Sequence, residues 1–238
     1  MSAPLDLLLQ VQELDTAADQ LRHRRQTLPQ RAELAAVEAQ RAELDARSSE
    51  VRARRGELAA QQQVLEDHIE SSRRRRSTLE SQLYGGQVAA ARDLQAMNDE
   101  VRNLAAHISA LEDRELEVME AIEPLDGELQ AAEVRRDELD GAAAALRRAI
   151  AEQETAIDAE LADQLGQRSQ LAQQLPADLL TRYEALRSRL GGTGAARLVG
   201  NSCSGCHLTL PSMEVDRIRK APPDTIVTCE QCGRILVR

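Results

Sequence analysis

The segment Leu83-Tyr84-Gly85-Gly86-Gln87 separates two long helical patterns and predicts where the chain reverses. It contains the only Gly-Gly pair in the first 190 residues. Glycine adopts the positive φ angles of a chain reversal without steric cost. We therefore expect a hairpin with its tip near residues 83–88, in which the numbers of facing residues sum to about 171. That register places Pro29 opposite Gly141.

Both arms repeat apolar residues every seven positions, the pattern of a left-handed coiled coil. The first arm has one series, which shifts phase after Pro29: Leu14, Leu21 and Leu28, then Val37, Leu44, Val51, Leu58 and Leu65. The second arm has two complementary series: Val101, Ile108, Ile122, Leu129, Ile150 and Ile157, and Leu104, Leu111, Val118, Leu125, Leu139 and Leu146. Arg41, Ser48 and Arg55 stand where the first arm needs a second apolar series. This thin seam favours pairing with the second arm, and a parallel dimer of long helices is the alternative.

All four cysteines lie near the C-terminus, in Cys203-Ser204-Gly205-Cys206 and Cys229-Glu230-Gln231-Cys232. Two such pairs present four thiolates that can close a tetrahedron around Zn²⁺. The sequence therefore predicts one structural zinc, held by Cys203, Cys206, Cys229 and Cys232. A redox dithiol is the alternative, but no thioredoxin-like βαβ pattern surrounds the pairs. His207 is the one further candidate ligand, and we interpret it as an exposed strand residue.

The fold class is mainly α, with a long antiparallel coiled-coil hairpin followed by a small β zinc ribbon. We expect the hairpin in residues 1–175, a short helix and a Gly-rich link in 176–196, and the C4 zinc ribbon in 197–238. Within the ribbon, three predicted strands and one helix follow from β-branched runs and from Ser212 as a helix cap. The strands are Cys206–Leu210, Thr225–Cys229 and Arg234–Val237, and Gly233 suits the tight turn of a zinc knuckle.

Composition separates this chain from an ordinary globule and from a basic nucleic-acid-binding domain. There is no Phe or Trp, and the formal net charge is −10. Residues 197–238 contain six basic and four acidic side chains, a balance of +2, so residues 1–196 carry −12. Long acidic helices repel phosphate backbones, which favours a protein partner.

Two basic clusters are nevertheless candidate contacts for nucleic acid or an acidic partner. The first is the run Arg73, Arg74, Arg75 and Arg76, close to Tyr84 at the predicted tip. The second lies in the ribbon and comprises Arg217, Arg219, Lys220 and Arg234. For the arginine run, a solvated helix surface is the alternative, because four consecutive residues on a helix point in every direction.

The chain shows no basic and apolar leader at its N-terminus and no apolar run of about 20 residues, so we expect a cytoplasmic protein without membrane contact. No nucleophile–base constellation, phosphate loop or HExxH motif is present, and we expect no enzymatic activity. RNA or DNA is a possible partner, and a transcription or regulatory protein is expected. The oligomeric state is expected to be a monomer or a weak homodimer.

The chain resembles a bacterial family of coiled-coil hairpin proteins with a C-terminal C4-type zinc ribbon. The most specific likeness lies in Cys203–Cys206 and in Cys229-Glu230-Gln231-Cys232-Gly233-Arg234-Ile235-Leu236. Weaker likenesses are Leu83–Gly86, Arg92–Ala96 and Leu111–Glu117. The resemblance implies an elongated hairpin, a structural zinc, nucleic-acid binding or a link to transcription, and no enzymatic activity.

Three functional hypotheses follow from these patterns. The first is a non-enzymatic regulator whose ribbon binds nucleic acid or a transcription component, with the hairpin as a rigid spacer. The alternative is a scaffold for protein–protein interaction without nucleic acid. The third, a redox switch that releases zinc, predicts reversible thiol oxidation with loss of the metal.

Overall fold

The computed structural model describes residues 4–85, 90–222 and 225–238. The chain forms two compact units, Leu34–Ala145 and Met1–Glu33 with Leu146–Arg238. Of the predicted tip, Gly86, Gln87 and Val88 lie outside the described residues.

Three long helices dominate the chain, and the expected mainly helical fold with a hairpin is confirmed. They are α1 (Pro4–Gln26), α2 (Pro29–Tyr84) and α3 (Ala91–Ala172). Proline lacks an N–H but is tolerated in the first turn of a helix, which explains why α2 starts at Pro29 after a break from α1. Pro124 lies inside α3.

In the unit Leu34–Ala145, α2 and α3 run antiparallel and pack through their apolar series. Leu65 and Ile69 of α2 bury against Ile108 and Leu111 of α3. Ion pairs flank the seam and report the register. The residue numbers sum to 181 for Arg41 with Asp140 and Arg55 with Asp126, to 175 for Arg47 with Glu128, and to 185 for Arg73 with Glu112, all above 171.

The predicted register, with a sum of about 171, is therefore wrong. The prediction centred the hairpin between Gly85 and Gly86, whereas α2 ends at Tyr84 and α3 begins only at Ala91, which moves the centre toward higher residue numbers. Pro29 also does not face Gly141, because Arg31, two residues later, pairs with Glu154 at 2.6 Å.

The other unit places α1 and α4 (Ala177–Arg189) against a small sheet. The sheet has strands β1 (Ala195–Val199), β2 (Ser202–Cys203), β3 (Val227–Thr228) and β4 (Ile235–Val237), with α5 (Ser212–Lys220) between β2 and β3. One core joins these elements and consists of Leu5, Leu8, Leu9, Val11, Leu175, Leu179, Tyr183, Leu186, Ala195, Ile235 and Val237. The start of the first arm is thus part of a helix–sheet core.

The strand order is β2-β1-β4-β3, with β1 and β4 parallel and the other neighbours antiparallel. The predicted strand Arg234–Val237 is confirmed as β4. The predicted strand Thr225–Cys229 is present as the shorter β3. The predicted strand Cys206–Leu210 is wrong: only Thr209 bridges to Ser202, because the chain turns sharply at His207. Ser212 is the first residue of α5, and the residue that precedes the helix is Pro211.

None of the helices in residues 4–85, 90–222 and 225–238 combines the length and apolarity that crossing a bilayer requires.

Candidate metal centre

Two turns with the same backbone pattern carry the cysteine pairs. In the first, the N–H of His207 donates to the carbonyl of Cys203 at 2.8 Å, and the N–H of Cys203 donates to the carbonyl of Leu208 at 3.1 Å. In the second, Gly233 donates to Cys229 at 2.7 Å, and Cys229 donates to the carbonyl of Arg234 at 2.9 Å. The fifth residue of each turn has a positive φ, 59° at His207 and 76° at Gly233.

The two turns bring the four thiols together. All four Sγ atoms lie within 4.8 Å of one another. The distance is 4.0 Å between the sulfurs of Cys203 and Cys232, and 3.9 Å between those of Cys206 and Cys229. Four Zn–S bonds of about 2.3 Å in a tetrahedron separate the sulfurs by about 3.8 Å. The residues therefore fit one Zn²⁺ bound by four cysteines, as the sequence predicted.

The protein environment sets the protonation of the thiols. Burial raises the pKa of Cys229 to about 12, although N–H groups of Cys232 and Gln231 point at its sulfur. Burial also acts on Cys232, but hydrogen bonds from the backbone and side chain of Arg234 and from neighbouring thiols prevail and lower its pKa to about 7. Because zinc binds thiolates, metal uptake at neutral pH displaces a proton from Cys229.

An apolar core supports the centre from one side. Val215 and Ile218 of α5 pack with Leu210, Ala196 and Leu236 around the buried cysteines. This core is small, and small zinc modules depend on the metal to fold. The zinc would supply the cross-link between the two turns.

Arg234 ties the second cysteine turn to the link that precedes the sheet. Its guanidinium donates to the carbonyls of Thr193 at 3.0 Å and Leu190 at 3.2 Å. Its side chain lies so close to Gly205 that a Cβ added there would approach the Arg234 Cδ to 2.5 Å. Arg234, predicted as a contact residue, thus has a structural role in the ribbon.

A buried polar junction joins α1 to the link and the sheet, and the sequence did not reveal it. Gln12 accepts from the N–H of Gly194 at 2.7 Å and donates to the carbonyl of Gly192 at 3.0 Å. Asp15 accepts from the hydroxyl of Tyr183 at 2.8 Å, and the side chains of both residues are buried. Gln12 and Asp15 lie on the same face of α1 as the buried Leu8 and Val11. That placement was the signal in the sequence that could have indicated the junction.

The three other ribbon candidates each have a partner within the ribbon. Arg217 pairs with Glu230 at 2.7 Å, and Lys220 pairs with Asp216 at 2.5 Å. The guanidinium of Arg219 donates to the carbonyl of Gly200 at 2.9 Å. Their role in binding stays a prediction.

Every arginine of the run near the tip pairs with a carboxylate. The pairs are Arg73 with Glu112, Arg74 with Glu70, Arg75 with Glu100, and Arg76 with Glu80. Tyr84 is 83% exposed. Each arginine of the run thus pairs with a different carboxylate, and the role of the run in binding stays a prediction.

Comparison with known proteins agrees with this architecture. Residues 11–191 match the model of the CT398-like coiled coil hairpin domain, and residues 202–236 match that of the C4-type zinc ribbon domain. The chain belongs to the CT398-like coiled-coil hairpin family. This chain thus matches both the hairpin and the ribbon that its sequence predicts, and one structural zinc is the cofactor that the site is built to hold.

Individual relatives and solved structures extend the comparison. "Uncharacterized protein Rv2229c" of Mycobacterium tuberculosis is 33% identical over 235 residues, which cover 97% of this chain and 94% of that protein. A solved structure from Mycobacterium smegmatis is 29% identical, covers 100% of both chains and has a TM-score of 0.91. CT398 from Chlamydia trachomatis is 24% identical, covers 98% of this chain and 96% of its own, and has a TM-score of 0.71, which shows a shared fold.

Proposed function

We propose that the protein is a non-enzymatic interaction module that binds a partner protein through its hairpin and its zinc ribbon. The charge of α3 carries this proposal. That helix contains twenty acidic and eight basic side chains, a balance of −12 in a chain whose total is −10. A helix of this charge repels phosphate backbones and attracts basic protein surfaces.

The metal centre supports the non-enzymatic part of the proposal. Four cysteine ligands leave zinc no open coordination position for a water or a substrate. The metal therefore serves to fold the ribbon, and the ribbon serves as a second contact. A cytoplasmic location belongs to the same proposal, because unbridged thiols persist in a reducing compartment.

Affinity capture with the zinc-loaded, full-length chain tests the proposal. A tagged chain is incubated with lysate of the source cell, half of which has been treated with nuclease. Partner proteins should remain bound after nuclease treatment, because the contact does not run through nucleic acid. Loss of all partners on nuclease treatment would contradict the proposal.

A second candidate function is nucleic-acid binding through the ribbon, as part of a regulatory or transcription-associated role. The side chains of Arg217 and Lys220 are 65% and 75% exposed, although each is ion-paired. Exposed ion pairs contribute about 0–1 kcal/mol, so a phosphate group could displace the carboxylates.

Fluorescence anisotropy with labelled single-stranded RNA, single-stranded DNA and duplex DNA separates this candidate from the first. Binding that weakens steeply with salt and is lost in Arg217→Gln/Lys220→Gln would support the ribbon as the nucleic-acid contact. A matched control is Arg22→Gln/Arg102→Gln, which removes the same charge from other exposed ion pairs. Absence of binding at low salt would exclude this second function.

A further inference from the structure

Two apolar side chains of α3 are exposed outside the seam, with Met119 at its edge. Leu116 is 55% exposed and Met119 is 46% exposed. Leu111, Ile122 and Leu125, on the seam side of the same helix, are buried. Single exposed apolar residues are normal on a protein surface, so these two become informative only through their surroundings.

The helical neighbours of Leu116 and Met119 are acidic. Residues three and four positions apart lie side by side on a helix surface. For Leu116 these neighbours are Glu112, Asp113, Met119 and Glu120. For Met119 they are Glu115, Leu116, Ile122 and Glu123. Of these, Glu115 and Ile122 occupy seam positions, and Ile122 is buried. A small apolar patch is thus surrounded by carboxylates.

Most of these carboxylates have no ion-pair partner among the described residues. Within the described ranges 4–85, 90–222 and 225–238, no ion pair joins Asp113, Glu115, Glu117, Glu120 or Glu123 to a basic side chain. The acidic residues that flank this group do have partners: Glu112 pairs with Arg73, and Asp126 with Arg55. Like charges three and four positions apart repel on a helix, and a cationic partner would relieve that repulsion.

Pro124 adds a backbone acceptor to the same part of α3. Proline has no N–H, so it cannot donate to the carbonyl of Glu120, four residues earlier in the helix. Glu120, Glu123 and Pro124 belong to about one turn of α3. The surface therefore combines carboxylates, a backbone acceptor and two apolar side chains, all suited to a partner rich in donors.

We propose that one face of α3, the acidic–apolar face formed by Asp113, Leu116, Glu117, Met119, Glu120 and Glu123, docks a basic amphipathic segment of a partner protein. Lysine or arginine side chains of that segment would pair with Asp113, Glu117, Glu120 and Glu123, and its apolar side chains would cover Leu116 and Met119. The inference rests on the proposed function and specifies the chemistry of the partner. Nucleic acid brings charge of the same sign as the face, and so does the same face of a second copy of this chain.

The test uses a probe of defined chemistry and the full-length, zinc-loaded protein. The probe is a fluorescein-labelled amphipathic helix of about 18 leucine and lysine residues, long enough to form several turns. A peptide of the same composition in scrambled order and one with glutamate in place of lysine serve as control probes. Binding is measured by fluorescence anisotropy across salt.

Three double variants locate the contact. Leu116→Ser/Met119→Ser removes the apolar patch, and Glu120→Gln/Glu123→Gln removes two of its charges. Glu152→Gln/Glu160→Gln is the matched control, because it removes two exposed charges elsewhere on α3 that pair with none of the described basic residues. All substituted side chains are exposed, and circular dichroism checks that each variant keeps its helices.

We expect each of the two face variants to bind the probe about tenfold more weakly than the unaltered chain, and the control variant to bind with about the same affinity. Equal weakening in all three variants, or equal affinity for the scrambled peptide, would overturn the proposal in favour of unspecific charge attraction. RNA binding or self-association that the face variants abolish would also overturn it. If the face variants bind like the unaltered chain while nuclease-resistant capture persists, this inference fails and the proposed function stands. If nuclease-resistant capture is lost while the face still binds the probe, the result rejects the proposed function and leaves the chemistry of the face intact.

Discussion

At the residue scale, Gly233 shows how the second cysteine turn depends on one backbone conformation. Its φ of 76° lies in the left-handed region, and the nearest atom to an added Cβ, Nη2 of Arg189, is 4.0 Å away. The cost of Gly233→Ala is therefore conformational, about 1–2 kcal/mol of ribbon stability. We expect zinc to be lost at a lower concentration of a competing chelator. His207→Gly is the control, since the equivalent residue of the first turn already has a side chain at φ 59°, and equal zinc loss in both variants would contradict this account.

A second residue-scale prediction concerns pH. Burial, followed by the hydrogen bond to the Asp15 carboxylate, raises the pKa of Tyr183 well above its ordinary value. The unfolded chain therefore loses this proton at a lower pH than the folded chain does. Stability from this contact is fully present below about pH 10, the ordinary tyrosine value, and falls as the pH rises further.

Phenol absorbance near 295 nm measures this titration directly. Tyr84→Phe leaves Tyr183 as the single phenol, because the chain has two tyrosines. We expect the phenol of Tyr183 to ionise only when the folded structure is lost at alkaline pH. A smooth ionisation near pH 10 in a folded protein would show that the contact with Asp15 is not maintained in solution.

At the element scale, Ser48 is a polar residue buried in the hairpin seam. This side chain is buried and donates to the carbonyl of Leu44 at 2.7 Å, although it occupies a seam position. Beside it lies a groove of about 270 Å³, lined in part by Val51, Leu129 and Ala132. Ser48→Leu should fill part of this groove and stabilise the hairpin by about 1–2 kcal/mol. Thermal unfolding followed at 222 nm measures the effect, with Ser48→Ala as the control for loss of the hydroxyl, and a lower Tm for the leucine variant would show overpacking.

The elements also show what the sequence could and could not predict. Heptad spacing predicted both arms, and the two CxxC pairs predicted the zinc centre, because periodicity and ligand spacing are local properties of the chain. The register depended on where α3 begins, at Ala91, and Asp93 in its first turn is too weak a local signal to fix that start. The contacts of Gln12 with residues near 194 join positions 182 apart along the chain, and periodicity contains no information about such pairs.

At the scale of the whole molecule, the ribbon core and the hairpin seam have different sources of stability. The seam of the unit Leu34–Ala145 contains no zinc ligand and is held by Leu65, Ile69, Ile108 and Leu111. The ribbon core around the cysteines is small, and structural zinc contributes about 10–16 kcal/mol to the folding of such modules. Removal of the metal should therefore act on the ribbon and spare the hairpin.

Cys229→Ser and chelation of the unaltered chain test this division. Most of the signal at 222 nm should survive, since α2 and α3 contain 56 and 82 residues and neither includes a cysteine. Limited proteolysis should produce new cleavage between Ser202 and Arg234, and added zinc should protect the chelated chain but not the variant. If the helical signal falls in proportion to zinc loss, or if that segment resists protease without metal, the hairpin and the ribbon fold as one metal-dependent structure.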